Sequence, residues 1–257
     1  MVYIGLSFLF LQAEKSDKMK HSANRVFVAF LVLTILFSSC RNTGKQSITI
    51  LETTDIHGVI LPYDFIEKEN LNASLANSAS YIKLLRSKGE PVFLLDNGDN
   101  LQGQPEVYYY NFIDTVSPHF LSEAMNWLGY DACTAGNHDI ETGHAVYDRL
   151  AMEYNFPLLA ANAIDIKSGE PYFTPFVILE KKNIRIAVFG LITPSVPTWL
   201  PEELYSGIEF RDMVETARMW MPEIIRQKPD LIIGVFHSVW YKDEKGSEQN
   251  ELMMENG

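Results

Sequence analysis

The sequence predicts an α/β fold with at least one largely parallel sheet, on three observations. From Ser47 onward, strand-like runs alternate with helical ones, uninterrupted by repeats or low-complexity segments. Several of the strand-like runs are almost continuously apolar, as strands covered on both faces are. Clusters of short polar side chains begin where these runs stop, at the strand ends that line the ligand crevice of open α/β sheets.

The elements follow in chain order. "SITILETT" (47–54) is rich in Ile and Thr and reads as a strand. "NSASYIKLLRSKG" (77–89) reads as a helix closed by Gly89, which tolerates the left-handed conformation of a helix end. "PVFLLD" (91–96) is a buried strand. In "SPHFLSEAMNWLG" (117–129) Ser117 can cap a helix, Pro118 suits its first turn and Gly129 ends it. "YDACTA" (130–135) and "FPLLAA" (156–161) read as short core strands, with Cys133 a small buried residue. "FVILEKKNIRIAVFGLIT" (176–193) reads as a hairpin turning at Lys182-Asn183. "MVETARMWMPEIIRQ" (213–227) is helical with a kink at Pro222, and "PDLIIGVF" (229–236) is the last strand.

The segment before these elements is of another kind. Lys20 and Arg25 precede "VFVAFLVLTILF" (26–37), a charge-free run that ends at "SSC". It is short for a membrane span and suits the apolar core of a secretory signal. The small residues before Cys40 resemble a bacterial lipoprotein signal, which implies a lipidated Cys40 and a periplasmic, membrane-anchored protein. Met19 is a reasonable true start. The expected organisation is a signal segment over 1–40, a tether over 41–46 and one incomplete catalytic domain over 47–257. Without residues 1–39 the chain has 17 basic and 31 acidic residues, a formal charge of −14. Such a charge disfavours a nucleic-acid polymer as partner, although bound cations can still create a local phosphate site. With two cysteines in the chain, one of them Cys40, no disulfide framework is available.

Four polar clusters sit at predicted strand ends: Asp55-Ile56-His57, Gly98-Asp99-Asn100, Gly136-Asn137-His138-Asp139 and His237-Ser238. Each alone has an ordinary reading as turn or capping chemistry. Together they bring a mixed oxygen and nitrogen donor set to one sheet edge, which suits Zn, Mn, Fe, Co or a similar divalent ion. Of the remaining histidines, His119 is expected at the surface in a first helical turn, and His144 at a helix start.

The ordered set Asp-x-His, Gly-Asp-x, Gly-Asn-His-Asp and a later strand-end His resembles the calcineurin-like metallophosphoesterases. "ILETTDIHG", "LLDNGDNLQG", "AGNHDIETG" and "AANAIDIKSGEPYFTPFVILEK" are similar to the bacterial 5′-nucleotidase and 2′,3′-cyclic-nucleotide 2′-phosphodiesterase group. The resemblance runs from about residue 47 to the end of the chain. It implies a four-layer α/β/β/α sandwich holding two divalent metal ions. Asp55 and His57 would hold the first ion, Asp99 would bridge both, and Asn137 and His237 would hold the second. A hydroxide shared by the ions would attack phosphorus, and His138 would protonate the leaving oxygen. The family usually orients that His with an Asp three residues later, and here the position is Glu141.

The family also completes its site with a downstream Gly-His-x-His motif, whereas none of the six histidines lies beyond His237. The expected function is a two-metal phosphoester hydrolase acting on nucleotides, of the 2′,3′-cyclic-nucleotide phosphodiesterase and 3′-nucleotidase type. Two alternatives stand beside it: a 5′-nucleotidase of the same family, and a non-catalytic lipoprotein fragment lacking the last metal ligands. A sulfur-ester hydrolase on the same scaffold is a third.

Overall fold

The computed structural model describes residues 47–238 together with the backbone of two short strands, Trp240–Lys242 and Glu248–Asn250. The signal segment, Met19, Cys40 and the tether lie outside the described residues. The described chain begins with β1 (Thr49–Thr53) and a small hairpin, β2 (Tyr63–Asp64) and β3 (Glu69–Asn70). Then come α1 (Leu75–Ser87), β4 (Val92–Asp96), α2 (Pro105–Phe112) and α3 (Phe120–Leu128). They are followed by β5 (Ala132–Thr134), the single turn α4 (Asn137–Ile140), α5 (His144–Glu153), β6 (Leu158–Leu159) and β7 (Ala163–Asp165). The second half contains β8 (Phe176–Lys181), β9 (Ile184–Ile192), α6 (Val196–Trp199), β10 (Ile208–Phe210), α7 (Met213–Arg226) and β11 (Leu231–His237).

Two sheets form the centre. The first is all-parallel, in the order β1-β4-β5-β6. The second runs β11-β9-β8, with β11 parallel and β8 antiparallel to β9. The β8–β9 turn is the one the sequence predicts: Lys182 and Asn183 both take positive φ, 52° and 64°, as a tight two-residue hairpin requires.

Three apolar clusters show how the layers stack. Phe93, Leu95 and Leu159 of the first sheet meet Ile186, Val188 and Val235 of the second, which makes a sheet-on-sheet core. The other face of the first sheet, with Leu94 and Cys133, packs against Ile82 of α1, Leu121 and Met125 of α3 and Leu150 of α5. The outer face of the second sheet, through Ala187 and Phe189, meets Met213 and Ile224 of α7. Helix, sheet, sheet and helix are the four layers expected. All five residues of β4 are buried, because this strand lies inside the first sheet with both faces covered.

Two local expectations are corrected. The cap of α3 is His119 rather than Ser117, its ring accepting the Leu121 N–H at 3.2 Å. His119 is also fully buried rather than at the surface. Its second ring nitrogen, Nε2, meets the Asn111 Oδ1 at 2.9 Å, so both ring nitrogens are matched in the neutral form. Tyr110 and Asn111 of α2 lie against the ring, an arrangement that local spacing does not reveal.

Burial and the charge of Arg149 lower the His119 pKa from 6.5 to about 4. The unfolded chain therefore takes up a proton below pH 6.5 that the folded chain refuses until about pH 4. The stability that neutral His119 contributes is complete above pH 6.5 and is lost as pH falls through that window. Urea unfolding of the wild type should lose about 3 kcal/mol more between pH 6.5 and 4 than His119→Asn, which keeps a capping oxygen but does not titrate. Parallel pH profiles for the two proteins would refute this account.

Candidate metal centre

The predicted residues converge on the carboxyl ends of β1, β4, β5 and β11. Asp55, His57, Asn97, Asp99, Asn137, His138, Glu141 and His237 all line one open cavity of about 600 Å³. Parallel strand order places these ends side by side, so clusters far apart in sequence share one edge.

The loops that follow β1 and β4 are tied to each other. Asp55 N–H donates to the Gly98 carbonyl at 2.9 Å and His57 N–H to the Asp99 carbonyl at 3.0 Å. Three of the predicted ligands have left-handed backbones, with φ of 52° at Asp55, 47° at His57 and 60° at Asp99. Such conformations are costly away from glycine and persist where the surroundings enforce them, often at functional sites.

Two glycines permit the approach of the β4 and β5 loops. Gly98 has φ of +86°, and a Cβ there would stand 2.5 Å from the Gly136 nitrogen. A Cβ on Gly136 would meet Asp99 Oδ1 at 2.1 Å. Into this contact the buried Asp139 carboxylate is set. Its Oδ2 accepts the N–H groups of Asp99 at 2.9 Å and Gly136 at 2.8 Å. Its Oδ1 accepts those of Asn100 at 2.8 Å and Leu101 at 3.1 Å. Burial and the nearby Asp99 nevertheless push the Asp139 carboxyl up to about 6.

Asp96 supports the same loop from below. It accepts from the Gly98 N–H at 2.9 Å and from Asn100 Nδ2 at 2.6 Å, and burial raises its pKa. Cys133 lies against it, Sγ to Oδ1 at 3.2 Å, as a buried thiol whose pKa burial raises well above the ordinary value.

Asp99, Asp55 and His237 each bring one ligand atom to a common spot, all within 4.8 Å of one another. His237 Nε2 stands 3.2 Å from Asp99 Oδ2 and 3.2 Å from Asn137 Oδ1, while its Nδ1 is held by the Asn97 carbonyl at 2.7 Å. Burial opposes charge on this ring, but Asp99 and the Asn97 carbonyl outweigh it and raise its pKa to about 9. Burial likewise tends to raise Asp99, but the ring of His237 and the N–H of His138 more than offset it and lower its pKa. His57 completes the rim, its Nε2 3.9 Å from Asp55 Oδ1. The donors fit divalent cations in kind: carboxylate and amide oxygens with imidazole nitrogens. Three buried carboxylates, Asp96, Asp99 and Asp139, concentrate negative charge behind the same spot.

His138 and Glu141 form the second part of the site. His138 Nδ1 lies 2.6 Å from Glu141 Oε2, so the longer Glu side chain reaches the ring from the position three residues on. His138 N–H also donates to Asp99 Oδ1 at 2.8 Å, which ties the pair to the central carboxylate. The ring packs edge-on to His57, with centroids 5.3 Å apart.

His144 begins α5 as expected and takes no part in the cavity. Its Nε2 meets the Ser206 carbonyl at 2.9 Å, and its Nδ1 meets the Tyr172 hydroxyl at 3.1 Å. Sequence reasoning did not assign Asp139 its role as loop clamp. The available signal was its place three residues after Gly136 at a helix start, where an acidic side chain reaches back to free N–H groups. It also missed Trp199 and Leu200, which line the cavity from the chain after β9.

Replacing Asp139 with Ala leaves four backbone N–H groups buried without acceptors. The substitution should lower unfolding stability by about 3 kcal/mol or more, measured by urea denaturation. A loss below about 1 kcal/mol would mean that the loops do not depend on this carboxylate.

Comparison with known proteins bears on the family and the fold. The chain is 30% identical over 218 residues to a 2′,3′-cyclic-nucleotide 2′-phosphodiesterase/3′-nucleotidase of Yersinia enterocolitica, covering 80% of this chain and 33% of that protein. It is 34% identical to a 5′-nucleotidase of Vibrio cholerae, over 76% of this chain and 34% of the other. The crystal structure of the calcineurin-like phosphoesterase YfkN from Bacillus subtilis superposes with a TM-score of 0.69 at 30% identity, covering 79% of this chain and 65% of that one. The chain thus spans about a third of the length of the curated Yersinia and Vibrio relatives. Residues 48–256 match the calcineurin-like phosphoesterase family, and the chain belongs to that family.

Proposed function

We propose that the protein is a metal-dependent phosphoester hydrolase acting on nucleotides, of the 2′,3′-cyclic-nucleotide phosphodiesterase and 3′-nucleotidase type. The observation that carries this reading is one cavity in which Asp55, Asp99 and His237 converge beside the His138–Glu141 pair. In this reading Asp55, His57 and Asp99 hold one divalent ion, and Asp99, Asn137 and His237 hold a second. Bound divalent ions would neutralise phosphoryl charge and make water a competent nucleophile near neutral pH.

The remaining work falls to side chains of this domain. Glu141 holds His138 at Nδ1, which leaves Nε2 as the ring atom able to give a proton to the leaving oxygen. The carboxylate also fixes the ring's rotation. Asp139 acts one step further back, holding the loop that presents Asp99 against the turn that presents Asn137 and His138. The Asn97 carbonyl fixes the His237 ring through Nδ1, which turns Nε2 toward the cavity. Both cyclic phosphodiesterases and 5′-nucleotidases are among the relatives, so both substrate types belong in the test.

The full-length gene product, loaded with Mn or Zn, should hydrolyse 2′,3′-cyclic AMP and 3′-AMP, and Asp99→Asn should abolish turnover. Inactivity toward these and toward 5′-AMP, with metal confirmed bound, would sink the reading. His138→Gln should lower kcat by roughly 10²–10⁴ on nucleotides. It should cost much less on p-nitrophenyl phosphate, whose leaving group needs no proton. Equal losses on both would assign His138 a positioning role instead.

The Cys40 reading extends the proposal to location. The wild type should incorporate labelled palmitate and pellet with membranes in a bacterial host, and Cys40→Ser should do neither. A soluble, unlabelled wild type would contradict an anchored envelope protein.

A further inference from the structure

We propose that the end of the domain at which its parallel strands begin is a docking face for an anionic membrane surface, with the metal cavity at the opposite end. The inference rests on the Cys40 reading for what brings a membrane near, while its chemistry comes from the charge of the face itself. Parallel order gathers the starts of β1, β4 and β5 at one end, just as it gathers their carboxyl ends around the cavity. Lys181, just before β9, donates to the Val92 carbonyl at 2.7 Å, which brings the second sheet's strand starts to the same end. Thr49 N–H donates to the Pro91 carbonyl at 2.9 Å, so the chain enters the domain here. Residues 41–46 alone separate Cys40 from Ser47. Seven residues of chain span at most about 25 Å, so an anchored Cys40 would keep this end close to lipid.

The charge of this end is opposite to that of the rest. Residues 47–238 carry 13 basic and 26 acidic side chains. Seven of the basic ones collect at the strand starts: Arg86 and Lys88 close α1, Lys181, Lys182 and Arg185 surround the β8–β9 turn, and Arg226 and Lys228 close α7. Five acidic groups accompany them, and the remaining six basic and 21 acidic ones leave −15 elsewhere. Lys182 Nζ donates to the Gly89 carbonyl, which seats the turn beside the end of α1, and Arg185 reaches the Gln227 carbonyl at 3.1 Å, which adds the end of α7. Of the five acids, Asp131 pairs with Lys181, Glu180 with Arg185 and Glu223 with Arg226, Asp230 accepts the Arg185 N–H, and Glu90 is exposed. Glu153, at the end of α5, points instead to the His119 N–H at the start of α3 and to Arg149. Among the described residues no carboxylate pairs with Arg86, Lys88, Lys182 or Lys228, and all four are exposed. Trp127 adds an apolar group in the last turn of α3, with 79% of its surface open. Arg86 stands beside it, donating to the Leu128 carbonyl and to that of Gly129 at 2.8 Å. An exposed indole among cations suits the headgroup level of a bilayer, and each cation near an anionic leaflet strengthens binding about fivefold.

The test uses the full-length gene product made without residues 1–40, so that neither an acyl chain nor the apolar run confers binding. It should co-sediment at low salt with vesicles containing phosphatidylglycerol, come off in about 0.5 M NaCl and ignore vesicles of phosphatidylcholine alone. The triple variant Lys88→Gln, Lys182→Gln, Lys228→Gln should bind at least about tenfold more weakly, with nucleotide hydrolysis unchanged. A control with the same loss of charge elsewhere, Lys68→Gln, Lys167→Gln, Arg211→Gln, should change binding by less than about twofold. Binding should shift tryptophan emission to the blue, and Trp127→Phe should remove that shift. Equal losses in the two triple variants would mean that net charge alone governs binding, and would overturn the assignment of this face. Capture by polyglutamate as strong as by vesicles, with no Trp127 shift, would assign the face to an acidic polypeptide and overturn the membrane. No binding to phosphatidylglycerol also overturns the proposal, and acylation of Cys40 in that case leaves the anchor reading standing. Phosphatidylglycerol binding through this face without acylation of Cys40 supports the face and removes the anchor.

Discussion

The Asp139 carboxylate is the interaction on which the site depends. It gathers N–H groups from the loop after β4 and from the turn after β5, two segments separated by about forty residues in the chain. Those N–H groups lie away from water, where an unpaired donor costs as much as a lost hydrogen bond. A single buried acceptor thereby sets the distance between the loop carrying Asp99 and the turn carrying Asn137 and His138. Gly98 and Gly136 are its counterpart in shape, because a Cβ at either would drive the same two segments apart.

The electrostatics follow from that clamp. Bringing Asp139 behind Asp99, with Asp96 beneath, places three carboxylates where burial disfavours charge. Hydrogen bonds offset part of this: His237 lies against Asp99 and the His138 N–H donates to it, and Asp96 accepts from Asn100 and Gly98. Divalent cations would offset much more, which is a physical reason for a protein to tolerate so much buried acid at one edge. The positive φ values of Asp55, His57 and Asp99 belong to the same picture, since strained backbone is kept only where interlocked loops enforce it.

Much of the fold was legible because its signals are local. Continuous apolar runs marked β4 and β9, the Lys182-Asn183 pair marked the hairpin turn, and Gly129 marked the end of α3. The His119 reading failed for the converse reason. Pro118 beside it made a sound helix start, but the groups against the ring come from Tyr110 and Asn111 of α2, which no periodicity reports. The dyad was half legible: a carboxylate three residues after His138 predicted a contact, and only the folded turn showed that Glu reaches as far as needed.

By itself, the sequence determined the alternation of elements, the strand ends where polar residues collect, and the donor types at each of them. Those properties live within a few residues of one another and follow from residue size, polarity and backbone freedom. Tertiary structure decided which donors meet. Parallel order in the first sheet aligns Asp55, Asp99 and Asn137 at one edge, and contact with the second sheet adds His237 from a hundred residues away. It also decided that Asp139 clamps rather than binds, and that Trp199 faces the cavity. Both depend on how two distant loops pack, a matter of three-dimensional proximity that spacing along the chain does not encode.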